Sequence, residues 1–159
     1  MSKLYVFGIG GTGSRVLRSF TMMLASGVKL GVKEVVPIVI DPDVSNADLT
    51  RSVSLMNNYR AIRSSLSFID SDTTMFFRTV LSQILPNYTL RIQDTDDKTF
   101  SQFIDLASMD KPTQAMMRML FSEKNLSSSM EVGFKGNPNI GSVVLNQIVN
   151  SNDFLNFAN

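Results

Sequence analysis

The chain contains no cysteine, no histidine and no tryptophan. Without cysteine it has no disulfide framework, no thiol nucleophile and no thiolate metal site. Without histidine it lacks the commonest general base near neutral pH and the commonest metal ligand. Ser-His-Asp and Cys-His catalysis within this chain are therefore excluded. Charge of one sign is also missing: 15 basic residues face 14 acidic ones, for a net charge of +1. Such a balance creates no field that would draw in nucleic acid or a membrane surface. No apolar run reaches the roughly 18 residues that a membrane span needs. The start is a single lysine followed by a strand and glycines, unlike a secretory leader. The expectation is a cytoplasmic protein with no nucleic-acid and no membrane partner.

What is present suits a globular fold. A chain of 159 residues, 43% of them hydrophobic, fits one domain, expected to span 1–159, and can bury a sizeable core. Ten methionines suggest an adaptable core.

The most informative stretch is the first. Leu4 to Phe7 is a short apolar run rich in strand formers. Gly8, Gly10, Gly11 and Gly13 then crowd a turn with Ile9 and Thr12. From Ser14, the residues Val16, Leu17, Phe20 and Leu24 recur at helical spacing. The reading is strand, tight turn, helix. Glycine accepts φ > 0 and lets backbone approach a bound group. The first N–H groups of a helix lack intrahelical partners, and the helix dipole favours an anion there. Gly8, Gly10 and Gly13 satisfy the G-x-G-x-x-G pattern in its required strand–helix context. The inference is a phosphate cradle for a nucleotide. The alternative is a glycine turn that only packs strand against helix.

Gly27 and Gly31, with Lys29 and Lys33, read as a helix end and turn. Val35 to Ile40 is a nearly continuous β-branched run, as expected of a strand buried on both faces of a parallel sheet. Pro37 cannot donate to a ladder, so the strand proper is expected from Pro37 or Ile38 to Ile40. It ends in Asp41-Pro42-Asp43. An acidic residue there commonly reaches a nucleotide ribose. Alternatively, Asp43 caps a short helix starting near Val44 or Ser45.

Leu49, Leu55, Tyr59, Ile62, Leu66 and Ile69 continue at helical spacing. Arg51, Arg60 and Arg63 on this stretch are either a solvated face or a contact to phosphate or a partner. From Asp70 to Asp97 the pattern weakens. Met75 to Leu85 could be strand or helix, Pro86-Asn87 signals a turn, and Tyr88 to Ile92 alternates like a short strand. Asp94, Asp96 and Asp97 form an acidic cluster that reads as a loop and helix start, since no further ligands are spaced around it.

Thr99 to Met109 and Pro112 to Phe121 read as two helices, with Pro112 placed in a first turn. Phe100, Phe103, Ile104 and Ala107 form one apolar face; Ala115, Met116, Met119 and Leu120 form the other, both expected to pack into the core or helix on helix. Ser122 to Ser129 reads as a loop. Gly133 to Gly141 is a second shaped glycine loop, feeding a helix expected from Ser142 to Val149. It is a second candidate anion site or an ordinary surface turn. Asn152-Asp153 is a cap signal before Phe154, Leu155 and Phe157.

Three pieces together resemble the tubulin/FtsZ superfamily, nearest to its diverged bacterial tubulin-like members. They are GIGGTGSR after the first strand, DPDVSNADL after the second, and GFKGNPNIG before the last helix. The resemblance implies a three-layer, mostly parallel, Rossmann-like α/β sheet of the tubulin/FtsZ nucleotide-binding type. It implies that Gly8, Gly10, Gly11, Thr12, Gly13 and Ser14 hold phosphates. Asp41 and Asp43 would lie near the ribose side or a magnesium ion, and Gly136, Asn137, Pro138 and Gly141 would close over the γ-phosphate side. GTP is the implied ligand, in preference to ATP. The family's hallmark glycine–threonine loop, its guanine-reading asparagine helix and its hydrolytic acidic residues are not found here. The resemblance therefore implies the N-terminal piece of a longer protein, with GTPase activity and self-association belonging to the longer chain or assembly and no catalytic residue here.

A rival resemblance is to ThiF/ubiquitin-activating adenylation domains. Their G-x-G-G-x-G-S and D-x-D with nearby S-N and arginine are matched by Gly8–Ser14, Asp41, Asp43, Ser45, Asn46 and Arg51. That reading would put ATP on the same turn. A nucleotide-free assembly domain on the same fold is a third reading. A Rossmann dehydrogenase is disfavoured by the missing histidine and the missing substrate domain.

Overall fold

A computed structural model describes residues 2–43, 45–66, 75–93, 95–131, 134, 136–148 and 154. The expectations placed on Val44, Ile69, Asp70, Asp94, Gly133, Val149, Asn152, Asp153, Leu155 and Phe157 lie outside these residues. The chain is α/β and divides into two compact units, Met1–Leu90 and Arg91–Asn159.

The first unit is built on β1 (Lys3–Ile9), α1 (Gly10–Ala25), β2 (Glu34–Ile40) and α2 (Ala47–Ser65), followed by two short strands, β3 (Val80–Leu81) and β4 (Thr89–Leu90). All pairings are parallel. β1 lies on one side of β2, and β3 and β4 share the other side. Every residue of β2 from Val35 to Ile40 is buried, as its unbroken apolar run requires. Leu17, Leu24, Leu49, Met56 and Tyr59 from the two helices pack with Val35 and Val39 of β2. Val35 and Val39 share one face of the strand, so α1 and α2 cover the same face.

β2 begins at Glu34 and includes Pro37, earlier than expected. The reason is visible in the pairing. β3 covers Glu34 and Val35, β4 covers Val39 and Ile40, and residues 36–38 have no partner on that side. The Val35 carbonyl accepts from the Ser82 amide at 2.9 Å, so Val35 bonds toward β3. Parallel strands alternate bonding sides residue by residue, which puts Pro37's missing donor on the same side, in the gap. Proline is tolerated in this inner strand because the neighbouring strand is interrupted opposite it. The chain crosses the interruption through a 3₁₀ turn at Pro86–Tyr88, with Asn87 and Tyr88 at φ +49° and +57°.

α1 ends at the glycine as expected, although no basic residue lies in its last turn. Gly27 adopts φ +88°, its amide reaches the Leu24 carbonyl and the Val28 amide reaches Met23, a Schellman closure. The buried face of α1 is the expected one at Leu17 and Leu24, with Phe20 packed against the core, but not at Val16. Ser14, Leu17, Thr21 and Leu24 are buried, whereas Val16 is exposed. α2 starts at Ala47 with Asn46 as its cap, so Asp43 does not cap a helix at Val44 or Ser45. Met75 to Leu85 supplies only the two-residue β3, and Tyr88 to Ile92 supplies β4.

The second unit is helical: α3 (Phe100–Phe103), a 3₁₀ turn at Leu106–Ser108, α4 (Lys111–Leu120), α5 (Glu123–Leu126) and α6 (Pro138–Ile148). The expected Thr99–Met109 helix is broken at Asp105, whose φ is +52°. The serine-rich 122–129 segment is not all loop, because Ser122 caps the single turn of α5. Phe100, Ile104, Leu106, Phe121, Leu126, Met130, Ile140 and Val144 form the core. The expected packing face of α4 is exposed instead: Met116, Leu120 and above all Met119, at 87%. Met117 packs on the core in its place.

Candidate functional site

The glycine turn does two separable things. A Cβ on Gly13 would lie 2.4 Å from the Gly8 carbonyl carbon and 2.7 Å from its Cα. A Cβ on Gly8 would lie 2.6 Å from Leu17 Cδ1 and 2.9 Å from the Gly13 oxygen. These two glycines let β1 and α1 touch backbone to backbone. Gly10 is different: it has φ +64°, and a Cβ there would meet nothing within 4 Å. Gly10 and Gly11 open α1, so Gly10 is the glycine that the turn's conformation requires and that faces open space.

The start of α1 carries no side-chain cap and no acidic residue in its first turn; Ile9 is its N-cap. Every other α-helix of the described residues is capped by a side chain of its own chain. Asn46 caps α2, Thr99 α3, Asp110 α4 and Ser122 α5. Asn137 Oδ1 accepts from the Asn139 and Ile140 amides at the start of α6, at 3.1 and 3.3 Å. At α1 the first N–H groups are left without such a partner. The buried Ser14 hydroxyl also has no hydrogen-bond partner among the described residues. The Ser14 carbonyl accepts from Ser52 Oγ at 2.7 Å, tying α1 to α2.

Beside this turn stands the end of β2. Asp41 is buried, with 2% of its surface exposed. Its Oδ1 accepts from the Asp43 amide at 3.0 Å and its Oδ2 from Asn46 Nδ2 at 3.3 Å. Burial pushes its carboxyl above the usual aspartate range, against the pull of the Asp43 amide. Asp43 is more exposed and accepts from the Ser45 amide and hydroxyl at 3.0 and 2.7 Å. Asp41 and Asp43 thus each hold a following backbone amide in a side-chain-to-backbone turn.

Asn46 links the two loops. Its Oδ1 accepts from the Asp48 amide at 2.9 Å, its Nδ2 holds Asp41, and that Nδ2 lies 3.0 Å from where a Gly11 Cβ would stand. Asn46 was not singled out as a site residue in the tubulin-like reading of the sequence. The signal was present: asparagine is a preferred cap, and Leu49, Met56 and Tyr59 begin their helical period just after it.

Gly8 to Ser14, Asp41, Asp43 and Asn46 therefore belong to one end of the first unit's sheet. Arg51 and Arg60 are exposed along α2, and Arg15 and Arg18 approach Asp48 at 3.6 and 3.8 Å. Gly136, Asn137, Pro138 and Gly141 belong to the second unit. Gly136 has φ +72° and open space around it, Pro138 begins α6, and Gly141 is buried in that helix against Phe134. Among the described residues no group of three acidic, histidine or cysteine side chains could hold a metal ion. The glycine-turn end offers neutral N–H donors and one buried carboxylate. The N–H donors suit an anion, whereas the carboxylate suits a hydroxyl or a cation. No family model, curated protein or solved structure matches the chain.

Proposed function

We propose that the first unit binds a nucleoside triphosphate, with phosphate oxygens on the amides that open α1 and the nucleoside toward Asp41 at the end of β2. The observation that carries this reading is the uncapped start of α1, set against five other helices that cap themselves. A helix start with unfilled donors, a positive-φ glycine and no nearby acid in its first turn favours an anionic guest. The parallel sheet supports it too, since ligands of such folds sit beyond the carboxyl ends of the strands. The fit is good at Gly10, Gly11 and Thr12, which would hold phosphate, while Gly8 and Gly13 shape the turn by packing. Asp41 and Asp43 would serve the ribose or an accompanying magnesium ion. The nucleotide would supply binding energy and a charge-bearing switch, and this chain's part is to hold it.

Guanine is chosen over adenine on the resemblance to tubulin and FtsZ. On that resemblance the fold is the three-layer tubulin/FtsZ type, and hydrolysis and self-association belong to a longer chain. The test is thermal melting with GTP and with ATP. At a hundredfold excess over Kd a ligand adds about 2.7 kcal/mol of stability, a shift of several degrees. GTP is expected to raise the melting temperature, and Gly11→Val, which presses on Asn46, is expected to cancel the rise. Protection by ATP alone would move the reading to the adenylation class. Protection by neither would refute nucleotide binding.

A further inference from the structure

A cavity lies elsewhere in the first unit. It is about 550 Å³ and is bounded by the last turns of α2 and by the chain running on from β3. Asn57, Arg60, Ala61 and Ser64 line it from α2, at spacings of three and four that put them on one helix face. Val80 to Gln83 form the facing wall. Asn46 and Arg60 are 14 residues apart on α2, roughly 21 Å at helical rise. The cavity is thus well separated from the glycine turn.

Its lining is cationic. Arg60 Nη1 donates to the neutral Gln83 Oε1 at 2.6 Å. Arg63 Nε donates to the Thr79 carbonyl at 3.1 Å, and its Nη2 to the Arg78 carbonyl at 3.4 Å. Among the described residues neither guanidinium meets a carboxylate. Each guanidinium has five N–H donors, so these contacts, together with the Tyr88 hydroxyl beside Arg60, leave donors over. Tyr88 donates to Asn57 Oδ1 at 3.1 Å, which commits the acceptor of that amide and leaves its N–H donors. Glu34, which Ser82 contacts, is already paired with Lys3 at 3.2 Å.

We propose that this cavity binds a small phosphomonoester, its phosphoryl oxygens on Arg60, Arg63 and the Asn57 amide, its organic part against Ala61, Val80 and Leu81. Two fixed guanidinium groups suit a dianion with several oxygens. The volume exceeds what inorganic phosphate fills and falls in the range of small-ligand sites.

The experiment is a residue-resolved NMR titration of the whole chain with phenyl phosphate, with benzoate as the carboxylate control. Phenyl phosphate is expected to shift the Ser82, Gln83 and Ser64 amides and the Arg60 Nε signal saturably. The affinity should fall as pH drops through about 6, where the phosphomonoester loses its second charge. Arg60→Ala should weaken binding about tenfold or more, and Arg60→Lys less. Arg60 is exposed, and far-UV circular dichroism checks that both variants are folded; should either fail, Asn57→Ala provides the same comparison. Equal binding of benzoate, unchanged affinity in Arg60→Ala, or shifts confined to residues 10–13 would each overturn the proposal. Those last shifts would still agree with phosphate on the glycine turn, so the two readings fail separately.

Discussion

Replacing Gly13 by alanine sets helix propensity directly against packing. Gly13 lies inside α1, where alanine is favoured over glycine by about 1 kcal/mol. Propensity alone would make the variant more stable. The new Cβ, however, would stand 2.4 Å from the Gly8 carbonyl carbon and 2.7 Å from its Cα. Both are backbone atoms, so no rotamer change relieves the overlap. β1 and α1 must separate, and Leu17, packed with Val39 and Leu49, loses contact. Overpacking of this kind typically costs 1–3 kcal/mol, occasionally more, and an immovable neighbour puts it at the upper end. The net expectation is a loss of about 2 kcal/mol. At a urea slope of about 2 kcal/mol per molar, the midpoint falls by about 1 M. Gly10→Ala provides the contrast. It meets nothing within 4 Å but must hold φ +64°, at about 1 kcal/mol. Urea unfolding followed by far-UV circular dichroism reads both. A Gly13→Ala midpoint at or above wild type would refute the packing argument. So would Gly10→Ala proving the more damaging of the two.

Two further outcomes follow from individual bonds. The Tyr59 hydroxyl donates to the Thr79 carbonyl at 2.7 Å, and burial pushes its pKa from 10.0 up to about 12. The unfolded chain then ionises first, so stability is constant below pH 10 and falls as the pH rises toward 12. Alkaline unfolding curves should show this fall, and Tyr59→Phe should reduce it, the remainder belonging to Tyr88, whose hydroxyl burial also pushes up, while costing about 1 kcal/mol at neutral pH; an unchanged alkaline profile would contradict the assignment. Asn46→Ala removes the α2 cap and a bond to buried Asp41, for a loss of about 2 kcal/mol. Asn46→Asp keeps the cap but sets a second carboxylate against Asp41, so in a urea series it should recover stability only at acidic pH.

The strand–turn–helix opening was legible because each piece has a strong local cause. A continuous apolar run, glycines that alone allow close approach, and helical periodicity all agree. The face α1 buries was legible at Leu17, Phe20 and Leu24 but not in full. Val16 looks like core and Ser14 and Thr21 do not, yet the Gly8–Gly13 contact sets the roll of the helix and turns Ser14, Leu17, Thr21 and Leu24 inward. Thr21 tolerates this by donating to the Leu17 carbonyl at 2.8 Å. On α4 the apolar stripe was read correctly as a pattern and wrongly as a core, because periodicity reports a face but not what meets it. At the candidate site, Asp41 was found by its place after a strand. Asn46 was missed as the link because its role depends on a contact to Gly11, which no sequence spacing encodes.

Pro37 shows how far a single residue reaches. From sequence it argued for a shortened strand, since a proline deletes one ladder bond. In the structure the strand stays whole and the neighbouring one is interrupted, with β3 and β4 closing on either side of residues 36–38. Bridging that interruption requires a sharp detour, which Asn87 and Tyr88 supply in left-handed conformations that ordinarily cost about 1–3 kcal/mol each. Tyr88 offsets this by full burial and by its bond to Asn57. A missing N–H on the inner strand and two strained residues thus share one origin. Restoring the donor with Pro37→Val would supply an N–H with no partner across the gap, so it should not stabilise the chain as an ordinary β-branched replacement in a strand would.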